Sequence, residues 1–274
     1  MILVILGATG IGKSDLARSL VSHYNAEIIN ADAFSLYKGM DIGTAKDKGI
    51  KLNDIYDFRD NISVLDYQKI GRDTLDNLIS QNKNIIIVGG SGLYIKSLLY
   101  DYRFNKDKDI NLEGKTLEEL VKMIPPDARI DLKNKRRVVR YLKRDGETKN
   151  KDIIIYPHKI IYLKDSREDL YNNINKRVDL MIRSGLEDEV RSLYNIDPQA
   201  RSINQAIGYK EFIPYFKGEI SLEEVINNIK RNTRRLAKKQ ETFFNNQFKN
   251  TNVFYKSDNL INEIITNIDN DMLK

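Results

Sequence analysis

Residues 2–14 read ILVILGATGIGKS, and this stretch decides the fold. A short apolar run, residues 2–6, leads into a glycine loop, and apolar residues at helical spacing follow Ser14. The pattern predicts a buried strand, a loop and a helix. The loop matches G-x-x-x-x-G-K-[ST], in which backbone N–H groups and a helix N-terminus bind phosphate oxygens. We therefore predict a P-loop that holds a diphosphate group.

The residue types of this loop suit phosphate chemistry. Its glycines let N–H groups converge on an anion, Lys13 neutralises negative charge, and the hydroxyl of Ser14 is a ligand for Mg²⁺, the predicted cofactor. The predicted diphosphate-binding residues of the loop are Gly7, Ala8, Thr9, Gly10, Ile11, Gly12, Lys13 and Ser14.

Two further short strands are predicted at residues 27–30 and 85–88, and they end at Ala31-Asp32 and at Gly89-Gly90-Ser91. Helical spacing over residues 67–80 lies between them. Strands that alternate with helices predict an α/β fold with a doubly wound parallel sheet of the P-loop NTPase type. The carboxyl ends of such strands share one crevice. We therefore expect Asp32 and Ser91 to lie near the glycine loop.

A change of pattern at residues 101–152 predicts a small helical insertion, with short helices at 117–123 and 134–143. The predicted catalytic core is residues 1–100 and 153–274. It resumes with a strand at 159–163 and contains a long helix at about 221–248. Ser221 is the predicted N-cap of that helix, and Glu224 completes a capping box.

Composition excludes several kinds of site. The 274 residues include no cysteine and two histidines, His23 and His158, which removes disulfides, thiolate nucleophiles and His- or Cys-based zinc sites. The net charge of +6 favours an acidic partner such as RNA or a phosphorylated substrate. The N-terminus lacks a basic signal region, and no apolar run reaches the roughly 20 residues of a membrane span. We expect a cytoplasmic protein without a membrane partner.

Asp32 is the best placed carboxylate for chemistry. The strand at residues 85–88 ends without the acid that a nucleotide hydrolase uses to hold its metal, which disfavours hydrolysis. Asp32 follows the neighbouring strand and could act as a general base or as an acceptor toward an incoming nucleophile. The alternative is a turn or helix-capping aspartate.

The long C-terminal helix carries a basic surface. Stepping about 100° per residue, one half of it holds Lys230, Arg231, Arg234, Arg235, Lys238 and Lys239. Such a stripe can bind the phosphates of a polyanion without reading its sequence, and Arg234 and Lys238 are the predicted nucleic-acid contacts within it. The alternative is the solvated face of an ordinary amphipathic helix.

The chain resembles the tRNA dimethylallyltransferases over nearly its whole length. The matching stretches, in order, are residues 7–14, 30–46, 88–94, 177–190, and 206–210 with 233–240. Residues 39–46 are highly specific, because phosphate binding alone does not demand them.

The resemblance implies transfer of a dimethylallyl group from dimethylallyl diphosphate to N6 of adenosine 37, next to the anticodon of tRNA. It adds Arg177 to Lys13 and Ser14 as a group that stabilises the leaving diphosphate, and it assigns the N6 proton to Asp32. Ser91, at a position where the family usually has threonine, would hydrogen-bond the bridging oxygen or a nearby phosphate.

The target base must leave its stack to reach the crevice. By resemblance, the contacts to the flipped adenine are Asp32, Ala33, Phe34 and Ser35. The further predicted tRNA contacts are Ser91, Asn134, Lys135, Arg136, Arg137, Val138, Arg234 and Lys238. Ala33 and Ser35 stand where the family generally has serine and glutamine, which implies fewer hydrogen bonds to the RNA. We expect a monomer.

Three other functions stay open at this point. The first is the same transfer to free adenine nucleotides, although the insertion and the basic helix would then have no purpose. The second is a small-molecule P-loop kinase. The third is an inactive tRNA-binding protein, against which the presence of Lys13, Asp32 and Arg177 argues.

Overall fold

The computed structural model describes residues 1–104, 108–128, 130–143 and 152–272. The strands are β1 (Ile2–Leu6), β2 (Ala26–Asn30), β3 (Asn84–Val88), β4 (Lys159–Lys164) and β5 (Asn252–Tyr255). The helices are α1 (Lys13–Tyr24), α2 (Val64–Ser80), α3 (Gly92–Leu99), α4 (Leu117–Lys122), α5 (Lys135–Lys143), α6 (Arg167–Arg183), α7 (Leu186–Ile196), α8 (Arg201–Gln205), α9 (Phe212–Phe216), α10 (Leu222–Gln247) and α11 (Leu260–Met272).

The strands form one parallel sheet in the order β2-β3-β1-β4-β5, which confirms the predicted α/β fold. β1 is central: Ile2 lies opposite Ile85 of β3, and Leu3 lies opposite Lys159 of β4. All five residues of β1 are buried, because helices cover both faces of such a sheet. This burial explains why β1 reads as an unbroken apolar run.

Two apolar clusters hold the larger part of the chain together. In the first, Leu16 and Leu20 of α1 and Ile264 of α11 pack with residues of the sheet such as Ile5. The second cluster lies among α6 to α10 and includes Tyr37, outside any helix or strand. The second cluster therefore anchors the irregular segment that follows β2.

The predicted start of α10 is confirmed in detail. Ser221 Oγ accepts a hydrogen bond from Glu224 N at 3.2 Å, and Ser221 N donates to the Glu224 carboxylate at 2.9 Å. The helices α3, α8 and α9 were not predicted. Seven of the eight residues of α3 are buried, so the helix shows no alternation of apolar and polar faces.

The chain divides into two compact units, Met1–Leu99 with Ile155–Lys274, and Tyr100–Ile154. In the smaller unit, Leu120 of α4 and Val138 of α5 pack with Leu112. The predicted tRNA contact Val138 is thus fully buried, whereas residues 134–137 are exposed. Asn134 accepts a hydrogen bond from Arg137 N at 3.2 Å and so caps α5.

Throughout the described ranges, no helix combines the length and the apolar character that crossing a membrane requires.

Candidate active site

Loops after β1, β2 and β3 lie side by side at the carboxyl edge of the sheet. Ala31 N donates to Val88 O at 2.8 Å, and Ser91 N donates to Ala31 O at 3.1 Å. A side chain at Gly89 would overlap the backbone of Ala31, so this approach requires glycine. The predicted proximity of the loops that carry Asp32 and Ser91 is therefore present.

The glycine loop leaves the start of α1 open to an anion. Gly10 and Gly12 have φ values of 82° and 95°, and Gly12 is the N-cap of α1. Within the described chain no side chain caps this helix. The first-turn N–H groups, together with the helix dipole, are therefore available to phosphate oxygens.

Lys13 lies over its own loop, where its Nζ donates to Ala8 O at 2.9 Å. Burial lowers the pKa of Lys13 to about 8; the Asp32 carboxylate opposes this shift, and the Arg177 guanidinium adds to it. An anionic ligand on the loop would favour the charged form and raise this pKa again.

Arg177 approaches from α6. Its Nη2 donates to the carbonyl oxygen of Thr44 at 3.3 Å. Burial lowers the pKa of Arg177, while the carboxylates of Asp32 and Asp47 act in the opposite direction. A guanidinium stays protonated at this degree of perturbation. Asp32 is thus within electrostatic range of two cations, Lys13 and Arg177.

The backbone of Asp32 is fixed by the buried side chain of Asn30. Asp32 N donates to Asn30 Oδ1 at 2.8 Å, and Asn30 Nδ2 donates to Asp32 O at 3.0 Å. Phe34 N donates to Asp32 Oδ1 at the long distance of 3.4 Å. Oδ1 of the carboxylate therefore stabilises the turn, as in a capping aspartate. No described residue donates a hydrogen bond to Oδ2, so this oxygen is available to a ligand.

A cavity of about 240 Å³ opens beside these groups. Thr9, Asp32 and Arg177 line it together with a largely apolar set of side chains: Phe34, Ile174, Val178, Met181, Ile207, Ile229 and Leu236. The cavity can therefore hold a small apolar group next to a carboxylate and a cation.

The highly specific segment at residues 39–46 has a structural explanation. The backbone N–H groups of Asp41, Ile42 and Gly43 donate to the carboxylate of Glu189 at 2.9, 2.7 and 3.0 Å. The Tyr209 hydroxyl donates to the same carboxylate at 2.6 Å.

Glu189 thereby holds the chain just before Thr44, whose carbonyl accepts from Arg177. Three of the stretches that carry the resemblance meet at this carboxylate. Glu189 and Tyr209 lie within the stretches that carry the resemblance, but no role was predicted for either. The available signal was the specific segment at residues 39–46, which phosphate binding does not explain.

Gly43→Ala tests this arrangement. A methyl group at position 43 would overlap the ring of Tyr209, which is fully buried. We expect a loss of about 1–3 kcal/mol in the free energy of unfolding, as for overpacking of a core. Urea unfolding measures it, and an unchanged midpoint would show that the segment is not packed in this way.

The predicted basic stripe of α10 is only partly exposed, because two of its side chains contact α6. Lys230 pairs with Asp179 of α6 at 2.6 Å, and Arg234 Nη1 donates to Asn175 Oδ1 of α6 at 2.7 Å. Both side chains therefore join α10 to the helix that carries Arg177. The exposed basic residues of the stripe are Arg231, Arg235, Lys238 and Lys239.

The structure places four of the predicted tRNA contacts, Ala33, Phe34, Ser35 and Ser91, at the carboxyl edge of the sheet. Ser91 Oγ accepts a hydrogen bond from Ala33 N at 3.2 Å, so these two residues are joined. Phe34 lines the cavity, whereas Ser35 is 6% exposed and its carbonyl accepts from Asp54 N. Phe34 is thus the better placed of the two to meet a ligand.

Ser14 is the candidate metal ligand on the loop. It is half-buried, and no described residue hydrogen-bonds its side chain. Among the residues that the structure describes, no three His, Asp or Glu side chains form a group that could hold a metal ion. A metal at Ser14 would thus take most of its ligands from the substrate and water.

Comparisons with known proteins identify the family of this chain. The family model described as IPP transferase matches residues 35–247. The chain belongs to the IPP transferase family. The match begins after the glycine loop and includes Arg177, Glu189 and Tyr209, so the family does not rest on the phosphate-binding motif.

Relatives and solved structures of the family match most of the chain. A tRNA dimethylallyltransferase of Anoxybacillus flavithermus is 39% identical over 90% of this chain and 88% of that relative. A tRNA dimethylallyltransferase of Bacillus subtilis is 36% identical over 91% of this chain and 89% of that relative.

The crystal structure of a tRNA isopentenylpyrophosphate transferase from Bacillus halodurans is 32% identical, with a TM-score of 0.78, and the alignment covers 98% of this chain and 95% of that one. The fold is also similar to a eukaryotic dimethylallyltransferase acting on tRNA, at 24% identity, a TM-score of 0.84 and coverages of 99% and 79%.

Proposed function

We propose that the enzyme transfers the dimethylallyl group of dimethylallyl diphosphate to N6 of adenosine 37 of tRNA and releases diphosphate. The observation that carries the proposal is the cavity in which Asp32 and Arg177 meet an apolar lining beside an uncapped phosphate loop. A phosphate loop beside an apolar cavity suits an allylic diphosphate better than a nucleoside triphosphate.

Departure of the diphosphate is supported by the glycine loop and two cations. As the allylic carbon–oxygen bond breaks, negative charge grows on the leaving group. Lys13, Arg177 and the first-turn N–H groups of α1 stabilise that charge without reorganising. The apolar cavity holds the five-carbon group and keeps water from the reacting carbon.

Mg²⁺ fits this site as a cation held by the substrate and one hydroxyl. Mg²⁺ prefers oxygen ligands and commonly takes one or two from the protein and the rest from phosphate and water. Ser14 would supply the protein ligand. When bound, the ion supplies further neutralisation of the leaving diphosphate.

Asp32 is the general base that accepts the proton of the nucleophile. The N6 amine forms the new bond to the allylic carbon as the carbon–oxygen bond breaks, and its proton passes to the Asp32 carboxylate. Ser91, joined to Ala33 in the adjacent loop, lies at the same edge of the sheet and would hydrogen-bond the departing oxygen or a phosphate.

Exposed basic residues support tRNA as the acceptor. Arg235, Lys238 and Lys239 of α10 are exposed, and in the smaller unit the exposed residues Lys135 to Arg137 open the basic helix α5. Such surfaces bind phosphates irrespective of sequence. A free nucleotide has too few phosphates to use them.

Lys238→Ala with Lys239→Ala is expected to weaken tRNA binding and to reduce the slope of log affinity against log salt by up to about 2, one phosphate contact per lysine. Filter binding at several salt concentrations measures the slope. Lys217→Ala, an exposed lysine beyond α9, is the control and should leave it unchanged. An unchanged slope in the double variant would show that Lys238 and Lys239 contact no phosphates and that this part of α10 is an ordinary solvated face.

The alternative functions are separated by parallel incubations with dimethylallyl diphosphate and tRNA, with dimethylallyl diphosphate and AMP, and with ATP and tRNA. Mass spectrometry of the nucleosides and nucleotides measures the gain of a prenyl or a phosphoryl group. We expect prenylated adenosine only with tRNA. Gain on AMP would select the nucleotide enzyme, and phosphoryl transfer from ATP would select a kinase.

Because tRNA and dimethylallyl diphosphate are the proposed substrates, we expect the enzyme to act in the cytoplasm. All residues assigned to the chemistry come from one chain, so a monomer suffices.

A further inference from the structure

Gln240, a buried residue of α10, bonds to two loops of the candidate site at once. Its Oε1 accepts a hydrogen bond from Thr9 N of the glycine loop at 2.8 Å. Its Nε2 donates to Gly90 O, in the loop that carries Ser91, at 3.0 Å. The side chain is 8% exposed, so water does not readily replace either partner.

The local sequence is matched to this bridge. Only an amide presents an acceptor and a donor together at this side-chain length. A side chain at Gly90 would overlap Gln240 Nε2, so the close approach of the amide requires glycine there. Glutamate could accept from Thr9 but could not donate to Gly90, and methionine could do neither.

The two loops serve opposite partners in the proposed reaction. The glycine loop holds the leaving diphosphate. The loop of Gly90 and Ser91 packs against Ala31, directly before Asp32, which meets the incoming amine. Their separation therefore sets the distance between the allylic carbon and the nucleophile, and misplacement by about 1 Å can cost about 100-fold in rate.

We propose that Gln240 is a positioning residue that sets the spacing between the diphosphate loop and the Asp32–Ser91 loops. The inference rests on the proposed function for its effect on transfer. Its effect on the glycine loop itself does not depend on which acceptor is used.

The kinetic test compares Gln240→Met and Gln240→Glu with the native enzyme in transfer to tRNA. We expect kcat to fall about 30–100-fold in both, because each loses the bond to Gly90, while KM for either substrate changes less than about threefold. Unchanged kcat in both variants, or a rise in KM with kcat retained, would overturn the proposal.

Asn232→Leu is the matched control. Asn232 is another partly buried amide of α10, and its Nδ2 donates to Glu211 Oε1 at 2.8 Å. Its loss should lower the melting temperature and leave kcat within about twofold. If Gln240→Met behaved in the same way, its role would be structural only.

Hydrogen exchange supplies a readout that needs no substrate. Amides of residues 7–14 should exchange faster in Gln240→Met than in the native enzyme, and those in Gln240→Glu should stay protected because its carboxylate still accepts from Thr9. Equal protection in all three proteins would contradict the bridge. If exchange followed this pattern but the native enzyme transferred nothing to tRNA, the proposed function would fail and the bridge would stand.

Discussion

Asp32→Asn is expected to lower kcat for prenyl transfer by about 10²–10⁴-fold, the usual contribution of a general base, while the dissociation constant for tRNA changes little. The amide has the shape of the carboxylate and can still accept from Phe34 N, so the loop should keep its conformation. It cannot take the proton of the attacking amine. Single-turnover kinetics with saturating donor measure the loss, and filter binding measures the affinity.

Equal losses in transfer and in tRNA affinity would contradict the role given to Asp32, because they would make it a binding or turn-forming residue. Asp165→Asn is the control. The Asp165 carboxylate accepts a hydrogen bond from Ser166 N at the start of α6 and has no assigned role in the reaction, so this variant should retain prenyl transfer.

Lys13→Met is expected to lower kcat by about 10²–10³-fold, the range for removal of one preorganised donor to a developing anion. The side chain keeps its length and loses its charge. Inorganic pyrophosphate should also bind more weakly, since Lys13 contacts the product as well as the transition state. Isothermal titration measures that affinity. Unchanged affinity for pyrophosphate would place the diphosphate elsewhere.

The pKa of Lys13 also predicts a pH dependence. Burial lowers this pKa to about 8 in the protein without ligand, so the charged form is lost as pH rises through that value. The quotient kcat/KM for the donor, which reports the free enzyme, should therefore fall above pH 8, whereas kcat should hold to higher pH because bound diphosphate favours the ammonium. Lys13→Arg should remove this fall of kcat/KM above pH 8. If the fall persisted in the variant, a group other than Lys13 would be its cause.

The sequence predicted the parts of the site that depend on local patterns and on the general rules of a parallel sheet. β1 and the glycine loop follow from an apolar run and a motif, and the proximity of Asp32 and Ser91 follows from the rule that parallel strands end at one edge. The capping box of α10 is a contact between residues three apart, which pattern alone can place.

The hydrogen bonds by which single side chains join distant segments could not be predicted. Glu189 meets residues 41–43 across 146 or more positions, and Gln240 meets Thr9 across 231. No periodicity encodes such pairs. The number of exposed basic residues on α10 was overestimated for a related reason. Helical geometry predicts which side chains lie on the same half of the helix, but it does not predict that Asp179 and Asn175 of α6 contact two of them.

The central claim is tested most directly by locating the prenyl group on the RNA. Purified enzyme, Mg²⁺, dimethylallyl diphosphate and an unmodified tRNA are incubated without ATP, and the fragments of a ribonuclease digest are mapped by mass. We expect a gain of one dimethylallyl group, confined to the fragment that carries adenosine 37. No gain, or a gain spread over other adenosines, would contradict the account.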